Sequence, residues 1–564
     1  MKAKHILIGI ATACSLTFTS CELNFEPQDV IKGDQVSAEN FDQMMYSMYN
    51  RYWSEFNDKF YFGLGDGMAY NVLAPSTPFI APFNNLSVTG TTDGLQNAWA
   101  SLYIVAQQSN KIIIDIKKNS SVSEEEKAVY LAECRFMRGL AYWHLVSLWE
   151  NVILCEDPAE LIKNPLVNVN TQKDGYEFAL RDMEYAAKYL PETSKARGRI
   201  NKYSAYGMLS RFYLAYSGLV ASDFGSNPNC GVRDEHYLEL ARKAAEKVIL
   251  GSSAQLMSNY EELFMVNFNN NSEGLFTFQW APGSSEQVGW GNTNSQQRFL
   301  ACDPVMTGGD AWGDYTICPW SMIYEYAPDD YIRRKATWMG YGDHYSEINI
   351  AGGGYTYERN KSGEASTRLN VKKGVTGSSK DNPAIGHQNS ALNNYMLRLA
   401  EVYLNYAEAV LGNRSSTDDV MALKYYNAVR KRAGLQSVTS IHCDFTNPED
   451  RDGNIRYERR VEFCMEGRYW YDLVARSYYK RQEVITYLNN QGRKENTPFL
   501  FTAPNNLRID PDRTPGDVPA GTAAASTFRL PYPETDLIKN PKMNEPPVPY
   551  EFTEDRIPES ELFN

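Results

Sequence analysis

The chain has 564 residues, 43% of them hydrophobic and 22% charged, a composition that folds and excludes a disordered chain. Mean hydropathy is −0.48, and beyond the amino terminus no apolar run reaches the ~18–20 residues that cross a bilayer as a helix, which excludes a polytopic membrane protein. A formal charge of −13 makes the surface repel phosphate backbones, so nucleic acid is not an expected ligand.

Residues 1–20 read as an export signal. Lys2 and Lys4 precede an apolar stretch from Ile6 to Leu16, and Thr17-Phe18-Thr19-Ser20 leads to Cys21. A cysteine straight after a small residue resembles the bacterial lipoprotein box, in which the thiol is acylated and becomes the first mature residue. Phe18 stands where that box usually has Leu. Cys14 competes as attachment site, but cleavage there leaves an apolar segment at the short end of the usual ~7–15 residues, so Cys21 is the expected lipid attachment. The alternative is a plain secreted chain cut after Ser20. Losing residues 1–20 removes two lysines and takes the charge to −15.

Residues 21–40, polar and with Pro27, read as a tether, and residues 41–564 as a single domain. A helical pattern runs from Phe41 to Phe56. The Gly- and Pro-rich sequence from Tyr61 to Gly94 predicts loop with short strands. Trp99, Tyr103, Ala106, Asn110 and Ile113 then recur at three- and four-residue intervals. Leu131, Cys134, Met137, Ala141, Leu145 and Leu148 do the same after Ser123-Glu124-Glu125-Glu126, which predicts two amphipathic helices in a hairpin. Tyr176–Leu190 and Lys202–Ser217 form a second pair, and His236–Leu250 with Tyr260–Phe264 continues the array. Tyr395–Leu411 and Val420–Ala433 make another pair.

Small residues at Ala141, Ala205, Ala400 and Ala407 resemble the helix-turn-helix logic of tetratricopeptide repeats, with irregular periods. A helical pair buries its apolar stripe only against another pair. The expected fold class is therefore mainly α, a scaffold of tetratricopeptide-like hairpins at about 95–264 and 393–480.

Residues 265–392 are a different kind of sequence. They hold Trp280, Trp290, Trp312, Trp320 and Trp338, half of the ten tryptophans, with Gly308-Gly309 and Gly352-Gly353-Gly354, and this excludes long helices. Leu275 to Trp280 alternates like a short strand, and the rest reads as ordered loop. So long a loop region inside a compact protein is usually functional. Residues 496–526 read as a second, surface loop. Apart from Cys14 and Cys21 the seven cysteines form no CxxC and no zinc spacing; Cys302 and Cys318 are the close pair at which a bridge can form.

No HExxH, Walker A, GxSxG or complete GxGxxG motif occurs. Gly63-Leu64-Gly65-Asp66-Gly67 has no β–α context and reads as a turn. His144, beside Trp143 in a helical pattern, reads as packed, so no metal and no cofactor are expected. Glu458, Arg459, Arg460, Glu462 and Glu466 stand at helical i,i+3 and i,i+4 spacings that favour ion pairing. A glycosidase needs carboxylates facing one another across ~5–10 Å, which successive turns of one helix do not provide.

Binding has better support. Sugars alternate apolar C–H faces with hydroxyls, so their binders use flat aromatic platforms edged by polar side chains. Trp290 with Asn292, Asn294 and Gln296 is one such cluster. Trp312 with Asp310, Asp314 and Tyr315, ahead of Trp320, is another. Core packing is the competing reading, and it is the expected one for Trp280, Trp338, Trp99, Trp143, Trp149 and Trp470.

Several segments in order carry a family resemblance. They are Trp99 to Asn110; Glu133-Cys134-Arg135-Phe136-Met137-Arg138 on to Trp149; and Arg199-Ile200-Asn201-Lys202 leading to Ala205 and Arg211. Next come Tyr326-Ala327-Pro328-Asp329-Asp330 with Arg333-Arg334-Lys335-Ala336-Thr337, and then Leu397-Arg398-Leu399-Ala400-Glu401 through Ala409. Glu458 to Phe463 with Glu466-Gly467-Arg468, and Pro531-Tyr532-Pro533 before Asn540-Pro541, complete the set. Together they resemble the SusD/RagB family of lipid-anchored nutrient-binding proteins of the bacterial outer membrane. Trp149-Glu150-Asn151-Val152-Ile153 departs from the family's usual aromatic-Gly-Asp before Val-Pro.

The resemblance implies a SusD-like fold without catalysis, surface-exposed on the cell outer membrane. It implies capture of an oligosaccharide or polysaccharide and its delivery to a SusC-like TonB-dependent transporter. It also implies that loops near the amino-terminal block share the glycan site, which points to Asp66, Tyr70, Asn71 and Phe83 beside Trp290, Trp312, Tyr315 and Trp320. Three alternatives stand next to this reading: a RagB-like peptide binder, a surface glycoside hydrolase, and a helical scaffold with no small ligand.

Overall fold

The structure is a computed structural model that describes residues 38–282, 291–358, 368–386, 388–491, 495–496, 499–501, 507–509, 516–517 and 521–564. Its long helices are α1 (Ala38–Tyr46), α2 (Leu95–Lys118), α3 (Glu124–Trp149), α4 (Gln172–Tyr189), α5 (Lys202–Ala221) and α6 (Glu235–Gly251). After the loop region follow α7 (Leu399–Leu411), α8 (Val420–Arg432), α9 (Ile455–Glu462) and α10 (Tyr469–Asn489). The starts of α3, α4, α5, α6 and α8 are set by side-chain caps on otherwise orphaned N–H groups: Ser123 with Glu126 in a capping box, Thr171, Asn201, Asp234 and Asp419. From α2 to α6 each helix packs on the next in chain order, α7 lies against α6 and α8, and α10 returns onto α5. The mainly helical scaffold of stacked hairpins is the architecture of the protein.

Several segments differ from their patterns. α1 ends at Tyr46, because the Trp53 indole donates to the Met48 carbonyl at 2.9 Å and holds the chain in tight turns. Residues 61–94 contain π-helical turns and the short helix Ala81–Asn84; among the described residues only an isolated bridge, Leu73 to Ile317, stands where short strands were expected. Tyr260–Phe264 is a 3₁₀ turn, Glu261–Phe264. The segment before α7 is a strand, Asn394–Arg398, paired antiparallel with Gly274–Phe278. Arg398 is extended there and stands at the N-cap of α7 rather than within it. Residues 495–517 contain two short antiparallel pairs, Glu495–Asn496 with Gly516–Asp517 and Phe499–Phe501 with Leu507–Ile509. Beyond them Phe528 is buried and stacks on Trp470 at 5.7 Å.

Two large hydrophobic cores result, with two small clusters beside them. The larger lies among the hairpins and takes in Trp53, Trp99, Trp143, Trp149, Trp280 and Trp470. The smaller lies inside the loop region, around Phe299, Met306, Met322, Trp338 and Val371, and is closed by Tyr457 and Val461 of α9. Cys302 and Cys318 are buried there as free thiols, so the bridge considered between them is not formed.

A buried charge network crosses between the cores. Glu462 accepts from Arg398 at 2.6 Å, from Arg333 at 3.2 Å and from Arg432, while Glu466 accepts from Arg398 and from Lys373 at 3.0 Å. Burial alone would raise the Glu462 carboxyl, but Arg432, Arg398 and Arg333 overcome it and pull the pKa down to about 2. Glu458 bonds Arg333 and Arg430, and Arg460 bonds Glu325 and Asn71. These groups are ion-paired in the interior, with no pair of carboxylates facing one another across a cleft.

Candidate ligand-binding site

The clearest aromatic shelf stands on a 3₁₀ turn, Gly313–Tyr315, with Trp312 as its cap. Residues three apart eclipse one another in such a turn, which sets Trp312 and Tyr315 on one side. Trp312 is 53% exposed and Tyr315 52%. The turn is strapped down from beneath. Trp312 N–H donates to the Arg298 carbonyl and Gly313 N–H to that of Ala301, both at 2.8 Å. A Cβ on residue 313 would sit 2.4 Å from the Leu300 carbonyl, so only glycine allows this approach. The buried Asn370 amide donates to the carbonyls of Gly313, Asp314 and Thr316, and its own oxygen accepts from Tyr357.

Polar groups edge the shelf. The Arg298 guanidinium lies over the Trp312 ring, 5.3 Å from its centroid, and reaches Gln388, which donates to Asp310 at 2.6 Å. Arg298 also stands 3.6 Å from Asp58, whose pKa burial raises against the pull of Ser295 and Arg298. Arg368 lies over the Tyr315 ring at 4.8 Å. Flat ring surface next to carboxylate, amide and guanidinium groups matches the alternating apolar and hydroxyl character of a sugar chain.

Trp320 belongs to a neighbouring patch. Its ring is 5.6 Å from Tyr324 one helical turn on, and the two line a cavity of about 300 Å³ with Tyr326, Tyr331, Arg334 and Arg451. Tyr324 is 41% exposed, whereas Trp320 is half-buried against the smaller core. Leu369 and the strand residue Asn370 connect the two patches. Leu369 lines the cavity and accepts from Cys318 N–H, and Asn370 holds the shelf turn.

The amino-terminal residues expected at the site are corrected by their burial. Asp66, Tyr70, Asn71 and Phe83 are sealed inside. Asp66 accepts from the Met465 and Gly467 N–H groups at 2.9 and 2.8 Å and from Asn71 at 3.1 Å. Burial pushes its carboxyl up to about 6 even so. Asn71 in turn accepts from Arg460 at 2.8 Å, and Phe83 packs edge-on to Phe60. Asp66, Tyr70 and Asn71 fasten the amino-terminal block to α9 and the segment after it, through Arg460, Met465 and Gly467. Asn294 and Gln296 are also turned inward, onto the Leu392 and Asn57 carbonyls. Trp290 and Cys21 lie outside the described residues. Arg298, Arg368, Gln388 and Tyr324 are the shelf and patch residues that sequence reasoning did not single out; of these only Tyr324, one helical turn after Trp320, carried a spacing signal.

Comparison with known proteins agrees with this architecture. Residues 267–548 match the family model described as the SusD family, and residues 39–214 match one described as starch-binding associating with outer membrane. A SusD-like protein of Bacteroides ovatus is 36% identical over 98% of this chain and 99% of its own length. A SusD-like protein of Formosa agariphila is 23% identical over 74% of this chain and 79% of its own. A crystal structure with xylogluco-oligosaccharide, 36% identical, superposes with a TM-score of 0.80 over 91% of this chain and 100% of that one. The family is one of non-catalytic binding proteins associated with the outer membrane. By its full-length identity and by the family model across its carboxy-terminal half, the chain belongs to the SusD family.

Proposed function

We propose that this protein captures an oligosaccharide or polysaccharide at the cell surface and passes it to a SusC-like TonB-dependent transporter, held to the outer membrane by a lipid on Cys21. The observation that carries the reading is the exposed pair Trp312 and Tyr315 on one rigid turn, edged by Arg298, Asp310 and Gln388. A relative of 36% identity with bound xylogluco-oligosaccharide supports a glycan as cargo. The tether keeps the protein beside its transporter, so transfer becomes effectively intramolecular. Calorimetry with xylogluco-oligosaccharides, other plant and microbial glycans and peptide pools tests the cargo. Saturable glycan binding is expected; tight binding of peptides with no response to any carbohydrate overturns the glycan reading. Release of reducing sugar, abolished by one Asp or Glu substitution that spares binding, overturns the assignment as a binder alone. For the anchor, Cys21→Ser is expected to lose acyl labelling; labelling that persists refutes attachment at Cys21.

A further inference from the structure

The interior bounded by α3, α5, α9 and α10 contains a second feature, remote in chemistry from the aromatic shelf. A cavity of about 60 Å³ is lined by Arg211, Arg233, Arg456, Arg459, Arg468 and Arg476, each more than nine-tenths buried, against only Glu408 and Asp472. Arg211 and Arg468 share one carboxylate, Glu401, at 2.7 Å each. Arg233 pairs with Glu408, Arg459 with Asp472 and Arg476 with Glu483. Arg456 shares Glu325 with Arg460. Seven guanidiniums therefore face five carboxylates, a buried excess of positive charge.

Five N–H donors around this cavity have no protein partner: Arg211 Nη1, Arg468 Nε, Arg233 Nε, Arg476 Nη2 and Trp143 Nε1. Trp143 is stacked between Phe212 at 5.2 Å and Tyr471 at 5.0 Å, beneath the Arg211 guanidinium at 5.5 Å. Native interiors rarely leave such groups unmade. A water accepts from two donors but brings two O–H donors of its own into a cavity whose lining already has six guanidiniums. An anion accepts from all sides and offsets part of the excess charge. The space is several times the ~10–15 Å³ that one water needs, which is enough for a halide. His144 alongside, bonded to Tyr471, does not add to the cations. Its pKa is driven well below the ordinary value by burial and then by Arg211 and Arg468.

We propose that this cavity is a binding site for a small monovalent anion of chloride's size, held by the Arg211 and Arg468 guanidiniums with the Trp143 N–H. The test is diffraction at the bromine edge from crystals of the protein equilibrated in bromide at physiological ionic strength. The expected result is an anomalous peak within hydrogen-bond distance of Arg211 Nη1 and Arg468 Nε. In solution, exchanging gluconate for chloride or bromide at fixed ionic strength is expected to raise Tm by about 2–4 °C and then saturate. Trp143→Phe keeps the stacked ring, loses the donor and is expected to reduce that rise. Should the variant not fold, the anomalous map of the parent protein decides. Water density without an anomalous peak, or a Tm that follows ionic strength alone, overturns the proposal.

Discussion

Replacing Trp312 by Ala is the sharpest test of the aromatic shelf. The ring is a little over half exposed, and its inner side rests on Phe299 at 5.7 Å and on the Arg298 guanidinium. A buried Trp covers ~150–250 Å², so about 100 Å² of this one is open to a ligand, worth ~2.5 kcal/mol at ~25 cal/mol per Å². Ordering a flexible sugar chain offsets part of that, leaving an expected loss of about 1–2.5 kcal/mol, or a rise in Kd of about 5- to 70-fold. The fold should hardly notice, since the Gly313, Ala301 and Asn370 bonds that set the turn are backbone or come from elsewhere, and the expected change in stability is under about 1 kcal/mol. Titration calorimetry with a xylogluco-oligosaccharide, run beside thermal unfolding, reads both quantities. Trp312→Phe keeps a ring and should recover much of the affinity. A Trp312→Ala protein with unchanged Tm and a Kd within about twofold of the parent refutes the shelf as the ligand site.

The other expectations separate site from scaffold. Tyr324→Ala should weaken a long oligosaccharide that spans both patches and leave a short one bound as before, because Tyr315 and Trp320 are five residues and so at most ~18 Å apart; equal loss for both lengths refutes two patches. Asp66→Ala should leave glycan affinity unchanged and cost about 1–3 kcal/mol in denaturant unfolding by orphaning two buried N–H groups; a selective loss of binding would return Asp66 to the site. Glu462→Gln should cost about 3–5 kcal/mol, since it strips a buried charge from Arg398, Arg432 and Arg333. Glu462 and Glu401 are both depressed to about 2, so each contributes stability that is fully present above pH ~4.3 and lost as pH falls toward about 2. A Tm that stays flat from pH 5 to pH 2 contradicts that linkage. Asp66, raised to about 6, has the opposite sign: its contribution is greatest below pH ~3.9 and is lost as pH rises through about 6.

The hairpins were legible because two local signals coincide in them. Three- and four-residue spacing marks the buried stripe of α2 and α3, and Ser123 with Glu126 marks where the second begins. Tyr395-Met396-Leu397 was misread as helix because a short apolar run fits either period. Pairing with Gly274–Phe278, more than a hundred residues earlier, decides it. Asp66 and Asn71 failed for a related reason. The residue types that edge a sugar site also cap buried backbone, and the N–H groups that claim Asp66 come from Met465 and Gly467, about four hundred positions away. Trp312 and Trp338 stand in equally Gly-rich and aromatic sequence, yet one is half exposed and the other wholly buried. Composition reports an excess of rings; only packing against α9 decides which of them faces water.

On the proposed reading, the smaller core is what lets the loop region present a shelf. An exposed ring on a mobile loop gives back in ordering entropy what it gains by stacking, so a useful shelf has to be fixed before the ligand arrives. Here that rigidity comes from buried amides. Asn370 holds three carbonyls of the shelf segment, and Gln297, one residue before Arg298, donates to the Gly377 and Gly386 carbonyls and accepts from Thr376. Both side chains are enclosed, where a lost hydrogen bond costs the full desolvation of its partners. The consequence separates rigidity from contact. Asn370→Ala touches no ligand, yet it should lower affinity through a larger entropic cost while the binding enthalpy of Trp312 is largely kept, and calorimetry distinguishes this from Trp312→Ala, in which the enthalpy itself is lost. Equal enthalpy losses in the two variants would show that the shelf takes its shape from the ligand.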